Sequence, residues 1–211
     1  MGSQLYYLRN YLNKPDINVL DVGCGNHSPQ KTKWAFPHIK YYGLDKSKDY
    51  NLDDLDFRVM EKFYEVDLSN IENLKIIPDN YFDVIIMSHI LEHLKNGDEV
   101  LEIICNKLRK NGVIYIECPT PESVRFPHMK GTLNFYDDPT HVRMFPPEEL
   151  KQILINKNFT IVCAGTVRFA KRILLIPAYI LWKLIETRSI SANTGIRDLF
   201  GFMKYILAVK K

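Results

Sequence analysis

NVLDVGCGN, residues 18–26, is the stretch whose reading decides the fold. Val19, Leu20 and Val22 surround Asp21, and Gly23-Cys24-Gly25 then breaks the apolar run. A buried parallel strand that ends in a glycine turn brings bare backbone N–H groups up to a ligand, because no side chain blocks the approach. Many nucleotide binders share a glycine pair after a strand, so the segments downstream must discriminate among them.

Those segments repeat the strand pattern. Tyr41 to Asp45 is a second strand ending in an acid, and Asp45 lies 20 residues beyond Gly25. That is close to the ~20-residue interval at which a carboxylate on the next strand end meets ribose hydroxyls. Phe63 to Leu68 reads as a third, short strand with Asp67 at its end. Phe82 to Met87 is a near-continuous apolar run of the kind buried on both sheet faces. A helix is expected from Asp98 to Leu108, a turn at Asn111-Gly112, and a fifth strand over Val113–Cys118. Phe159–Val167 and Gly201–Val209 supply the sixth and seventh strands. Apolar residues at helical spacing put a leading helix at Leu5–Leu12 and another at Glu148–Asn156, and Ser28 before Pro29 reads as an N-cap. The alternation predicts an α/β fold, a doubly wound, mostly parallel seven-stranded sheet in a single domain over residues 1–211.

Two stretches stand outside the alternation. Residues 119–147 hold six prolines, two histidines and little periodicity, and a loop that long in a compact domain is usually functional. Residues 168–199 form an insertion between the last two strands. Its apolar core, Ile173 to Trp182, is too short to span a bilayer. A cap over the site is the first expectation for it. Peripheral membrane contact through residues 168–185, with Lys171, Arg172, Trp182 and Lys183 at headgroup level, is the second, and a dimer face is the third.

Composition narrows the class. The chain has 28 Lys and Arg against 25 Asp and Glu, but nine of the basic residues and only Glu186 and Asp198 lie in residues 168–211. A basic end on an acidic body suits an anionic partner or a solvated face. The four cysteines (Cys24, Cys105, Cys118 and Cys163) show no zinc spacing, and MGSQLYYLRN lacks the apolar core of a secretory signal. A cytoplasmic protein without a metal is expected. No RNA-binding module or base-stacking motif appears, so nucleic acid is not the expected partner.

VLDVGCG at 19–25, GLD at 43–45, VDL at 66–68 and FDVIIMSHILEHL at 82–94 together resemble the class I S-adenosylmethionine-dependent methyltransferases. A dinucleotide-binding fingerprint would need a third glycine where Ser28 stands. The resemblance implies S-adenosylmethionine as cofactor and S-adenosylhomocysteine as product. By the same resemblance Gly23 and Gly25 pack under the cofactor, Asp21 helps hold its amino group, and Asp45 binds the ribose. Asp67 accepts from the adenine amine with Leu68 near the ring, and Ser88 lies beside the methionine portion.

DPTHVR at 138–143 followed by FPPEEL at 145–150 is similar to small methyltransferases of bacterial surface-polysaccharide biosynthesis. That implies a hydroxyl on a nucleotide-linked or lipid-linked saccharide as acceptor, with Arg125 and Arg143 pairing to its phosphate. A hydroxyl acceptor gains from a base, and His141 is the first candidate and His89 the second. Glu92 and His93 are expected to organise the turn after the fourth strand. N- or C-methylation of another metabolite, or a non-catalytic partner subunit, are the alternatives. The chain is expected to be a monomer or a homodimer.

Overall fold

The computed structural model describes residues 2–211. Seven strands form one sheet: β1 (Asn18–Val22), β2 (Lys40–Asp45), β3 (Lys62–Glu65), β4 (Phe82–Ser88), β5 (Leu108–Pro119), β6 (Phe159–Thr166) and β7 (Met203–Lys210). Their order is β3-β2-β1-β4-β5-β7-β6. The first five run parallel, and β7 is inserted antiparallel between β5 and β6. The expected fold class is what the chain adopts.

Both faces of the sheet are covered, which explains the apolar runs. Val84 and Ile86 of β4 point into one core with Val19, Tyr41 and Tyr115, while Ile85 and Met87 point into the other with Leu20, Val22 and Ile116. Helix α1 (Ser3–Leu12) buries Leu5, Leu8 and Leu12 on the first face, one stripe at helical spacing. On the second, α4 (Gly97–Lys107) contributes Val100, Leu101 and Ile104, and α5 (Pro147–Asn156) contributes Leu150 and Leu154. Each fully buried aliphatic side chain contributes roughly 1.5–3 kcal/mol of transfer free energy.

Several local expectations are corrected. β3 stops at Glu65, so Asp67 sits past the strand end. The strand after α4 begins already at Leu108, and the expected Asn111-Gly112 turn is an irregularity within it, with Asn111 at φ 63. Ser28 is the first residue of α2 (Ser28–Ala35) and not its cap; the left-handed His27 precedes it. Ser28 is drawn inward because its hydroxyl donates to Asp21 Oδ2 at 2.5 Å.

Residues 168–199 are helical, as expected. They form α6 (Ala170–Leu174), α7 (Ile176–Glu186) and most of α8 (Thr194–Phe200). A third apolar cluster of Leu133, Val167, Ala192, Ile196, Phe202 and Met203 ties α8 to the proline-rich loop. Every residue of α7, by contrast, is exposed or half-buried.

Candidate functional site

The strand order reverses between β2-β1 and β1-β4, and a crevice opens at the carboxyl ends of the strands at such a switch point. Here it is a cavity of about 600 Å³ walled by Asp21, Gly23, Gly25, Asp45 and Ser88 on the sheet side and by Thr132, Asp138, His141 and Arg197 on the loop side. Five of the seven residues expected at the cofactor (Asp21, Gly23, Gly25, Asp45 and Ser88) come from three different strand ends, and the fold brings them together.

Gly23 adopts φ +80, and a Cβ there would collide with the side chain of Ile90. A Cβ on Gly25 would collide with the ring of Tyr50. Asp45 Oδ2 accepts from the Gly25 amide at 2.9 Å and Oδ1 from the Lys46 amide at 2.7 Å, which fixes the carboxylate beside the glycine turn. Asp21 is 4% exposed and accepts from Ser28 Oγ and Tyr41 Oη, each at 2.5 Å. Burial pushes its carboxyl up to about 6 against the pull of those two donors.

Asp67 and Leu68 are off the cavity wall. Leu68 is buried in the core, and Asp67 is held by Lys46 Nζ at 2.9 Å and by Ser69. Lys46 and Ser69 keep the Asp67 carboxyl down at about 2. Lys46, the residue after Asp45, thus links the two strand-end acids, a connection the sequence did not disclose.

Of the two arginines expected at the acceptor, Arg143 turns away. It pairs with Asp98 at 3.0 Å and Glu149 at 2.5 Å, lies over the Phe145 ring, and pins the loop to α4 and α5. Arg125 is exposed at the end of a 3-10 turn, outside the cavity lining. The wall carries Lys31, which donates to the Asn26 carbonyl at 2.6 Å, and Arg197, whose guanidinium donates to the carbonyls of Gly131 (2.5 Å) and Thr132 (3.0 Å). The charge of Arg197 was legible only as part of a basic tail.

His89 lies on the wall between two buried carboxylates, Nδ1 3.4 Å from Glu92 Oε1 and Nε2 3.5 Å from Glu117 Oε1. Loss of solvent would lower its pKa, but Glu117 and Glu92 more than offset this and lift it to about 9. Both ring nitrogens therefore carry protons at neutral pH, and the imidazolium has no lone pair to offer as a base. Glu117 is a site residue that sequence reasoning missed; it sits inside an apolar strand, which is the one signal that could have marked it.

His141 differs. Its side chain is 5% exposed, and Nδ1 lies 2.7 Å from the Phe135 carbonyl, to which it must donate. In the neutral ring this leaves the lone pair on Nε2, 3.9 Å from Asp138 Oδ2. The loop is shaped by Asp137, which accepts from the amides of Met129, Leu133 and Asn134 at 2.8–3.0 Å and pairs with His128. Burial opposes ionisation of Asp137, but these three amides and His128 outweigh it and hold the carboxyl at about 2.

Residues 4–164 match the methyltransferase-domain family profile. Two uncharacterized proteins of Methanocaldococcus jannaschii are similar to the chain. MJ0906 is 32% identical over 100 residues, 46% of this chain and 27% of that protein. MJ0638 is 25% identical over 185 residues, 85% of this chain and 71% of that protein. The chain thus spans about a quarter of the length of the first relative. A solved S-adenosylmethionine-dependent methyltransferase from Archaeoglobus fulgidus superposes with a TM-score of 0.63 at 24% identity, over 99% of this chain and 92% of that one. Among the described residues no helix is long and apolar enough to cross a membrane.

Proposed function

The chain belongs to the methyltransferase-domain family, with S-adenosylmethionine as its cofactor, and from that premise we propose that it methylates a hydroxyl of a phosphate-bearing saccharide. The donor set fits the cofactor: a fixed strand-end carboxylate at Asp45 for ribose hydroxyls, Asp21 for an ammonium, and two side-chain-free glycines on the wall, whose own amides are spent holding the turn on Leu44 and Asp45. Bound there, S-adenosylmethionine supplies a sulfonium methyl that leaves in line, the bonding pair staying on sulfur.

The observation that carries the acceptor reading is the His141 ring. Its Nδ1 is fixed by Phe135 and its Nε2 lone pair is offered at the cavity wall, opposite the cofactor residues. In its simplest form that lone pair takes the proton of the acceptor hydroxyl as the O–C bond forms, a contribution of typically 10²–10⁴-fold. Arg197, whose hydrogen-bond acceptors among the described residues are the backbone carbonyls of Gly131 and Thr132, takes the acceptor phosphate in place of Arg125 and Arg143.

The exposed α7 favours a lipid-linked saccharide within that class. Leu181, Trp182 and Ile185 of α7, with Leu174 and Leu175 just before it, are 53–81% exposed, and Lys171 in α6 and Arg188 beyond α7 flank them. An apolar helix with basic flanks lies at a bilayer surface, where a lipid-linked acceptor would be presented. The four free thiols suit the reducing cytoplasmic side.

The test is methyl transfer from labelled S-adenosylmethionine to a panel of nucleotide sugars and lipid-linked saccharides. Label that remains on the monosaccharide after base treatment and acid hydrolysis of its glycosidic bonds, as a methyl ether does, supports the reading. Label on nitrogen or carbon of an amine or enol acceptor, with none on saccharides, would replace it by N- or C-methylation.

A further inference from the structure

Among the described residues, the buried side-chain polar atoms without a hydrogen-bond partner are the two carboxylate oxygens of Glu92. The side chain is 1% exposed, and its charge neighbour is His89 Nδ1, 3.4 Å from Oε1. His89 faces one of the two oxygens and is shared with Glu117, so neither Glu92 oxygen receives a hydrogen bond of good geometry, and a buried group in that state calls for an explanation such as an ion.

The surroundings supply one. Glu92, His93 and His141 each place a ligating atom within 4.8 Å of the other two. They meet because Val142 and Arg143 donate their amides to the Glu92 carbonyl, at 2.9 and 3.2 Å, and so dock the loop histidine on the turn after β4. The hydrogen-bond network also fixes both histidine tautomers. Thr140 Oγ1 donates to Asp138 Oδ1 at 2.5 Å, so it must accept from His93 Nδ1 at 2.9 Å. His141 Nδ1 donates to the Phe135 carbonyl. Each imidazole is therefore anchored through Nδ1–H and presents an Nε2 lone pair, the arrangement that orients histidines toward a metal.

We infer that Glu92, His93 and His141 form a binding site for one divalent first-row transition cation at the acceptor end of the cavity. Two imidazoles and one carboxylate suit zinc, manganese or iron(II), and a set of three protein ligands leaves further coordination positions for water or a substrate oxygen. His93, His141 and Asp138 all line that cavity. A second cluster, His27 with Asp53 and Asp56, carries no such inference. Its carboxylates are already taken by the capping box of the helix that follows, by Gln30 and by His27.

The site deepens the proposed function and rests on it for the identity of the acceptor. An acceptor hydroxyl bound to the cation loses its proton more readily, because the charge stabilises the alkoxide. The O–H proton passes to solvent, the new O–CH₃ bond forms, and the S–CH₃ bond breaks with its electrons on sulfur. His141 then acts as a ligand where the bare lone pair would act as a base.

The test is calorimetric titration of the folded, chelator-treated protein with Zn²⁺ and with Mn²⁺, repeated on Glu92→Gln and His93→Ala. One equivalent of either cation bound by the wild type, and weakened 100-fold or more in both variants, is the expected result. Circular dichroism and cofactor binding report whether each variant remains folded. Failure of the wild type to bind either cation, or binding that neither folded variant weakens, overturns the site. Cation binding without any saccharide methylation would leave the site standing and remove the acceptor. Turnover that survives chelation but is lost in His141→Ala would leave the acceptor standing and remove the cation.

Discussion

The amide of Val142 donates to the carbonyl of Glu92 at 2.9 Å, and this backbone contact joins two segments 50 residues apart. Through it the proline-rich loop meets the turn after β4, and His141 comes to rest with its ring centroid 4.9 Å from that of His93. The loop side of the cavity is therefore built where two otherwise separate motifs touch.

His141→Ala should lower methyl transfer by about 10²–10⁴-fold while leaving cofactor affinity within a few-fold of wild type. Single-turnover rates and calorimetric titration measure the two separately. An equal loss in both would mean that the ring only supports the fold of the loop.

Asp45→Ala should weaken S-adenosylmethionine binding by roughly 10–100-fold, since a hydrogen bond to a charged group is worth about 1.5–3 kcal/mol. The Gly25 and Lys46 amides lose their acceptor in the same change, so the glycine turn loosens as well. Titration calorimetry reads the affinity; unchanged binding would remove Asp45 from the cofactor site.

Asp21 gives a pH signature. Its folded pKa of about 6 lies above the usual carboxylate value, so its relative contribution to stability is full below about pH 4 and is lost as pH rises through 6. Cofactor binding runs the other way, because a cationic amino group favours the ionised form. Affinity should therefore fall as pH drops below about 6, with uptake of a proton from buffer during release. Asp21→Asn should abolish that pH dependence and stabilise the free protein at pH 7–8, measured by thermal unfolding.

Asp137 titrates in the opposite sense. Its carboxyl is held at about 2, so it stabilises the folded loop above the unfolded pKa near 4, and that contribution disappears as pH falls toward 2. Asp137→Ala strands the amides of Met129, Leu133 and Asn134 and should cost on the order of 3 kcal/mol. Limited proteolysis within residues 126–141 would register the loosened loop.

Leu181→Asp together with Trp182→Asp should abolish co-sedimentation with vesicles containing anionic lipid and leave the folded core unchanged, since both side chains are exposed. Wild-type protein that stays in the supernatant at low salt would confine α7 to another partner.

The sequence by itself determined the sheet and which strand-end residues line the cavity on its sheet side, Asp67 and Leu68 excepted. Strand periodicity, the glycine turn and the acids at strand ends are local signals, each set by backbone geometry within a few residues, and Asp21, Gly23, Gly25, Asp45 and Ser88 line the cavity at the strand ends. Only the tertiary structure decided the loop side of the cavity. Whether an arginine faces the cavity depends on which carboxylates reach it first, and Asp98 and Glu149 claim Arg143 while Arg197 is left with carbonyls. Glu92, His93 and His141 likewise show no ligand spacing along the chain, because the distance that matters is closed by hydrogen bonds between a turn and a loop 50 residues away. Long-range contacts of that kind leave no period in the sequence to read.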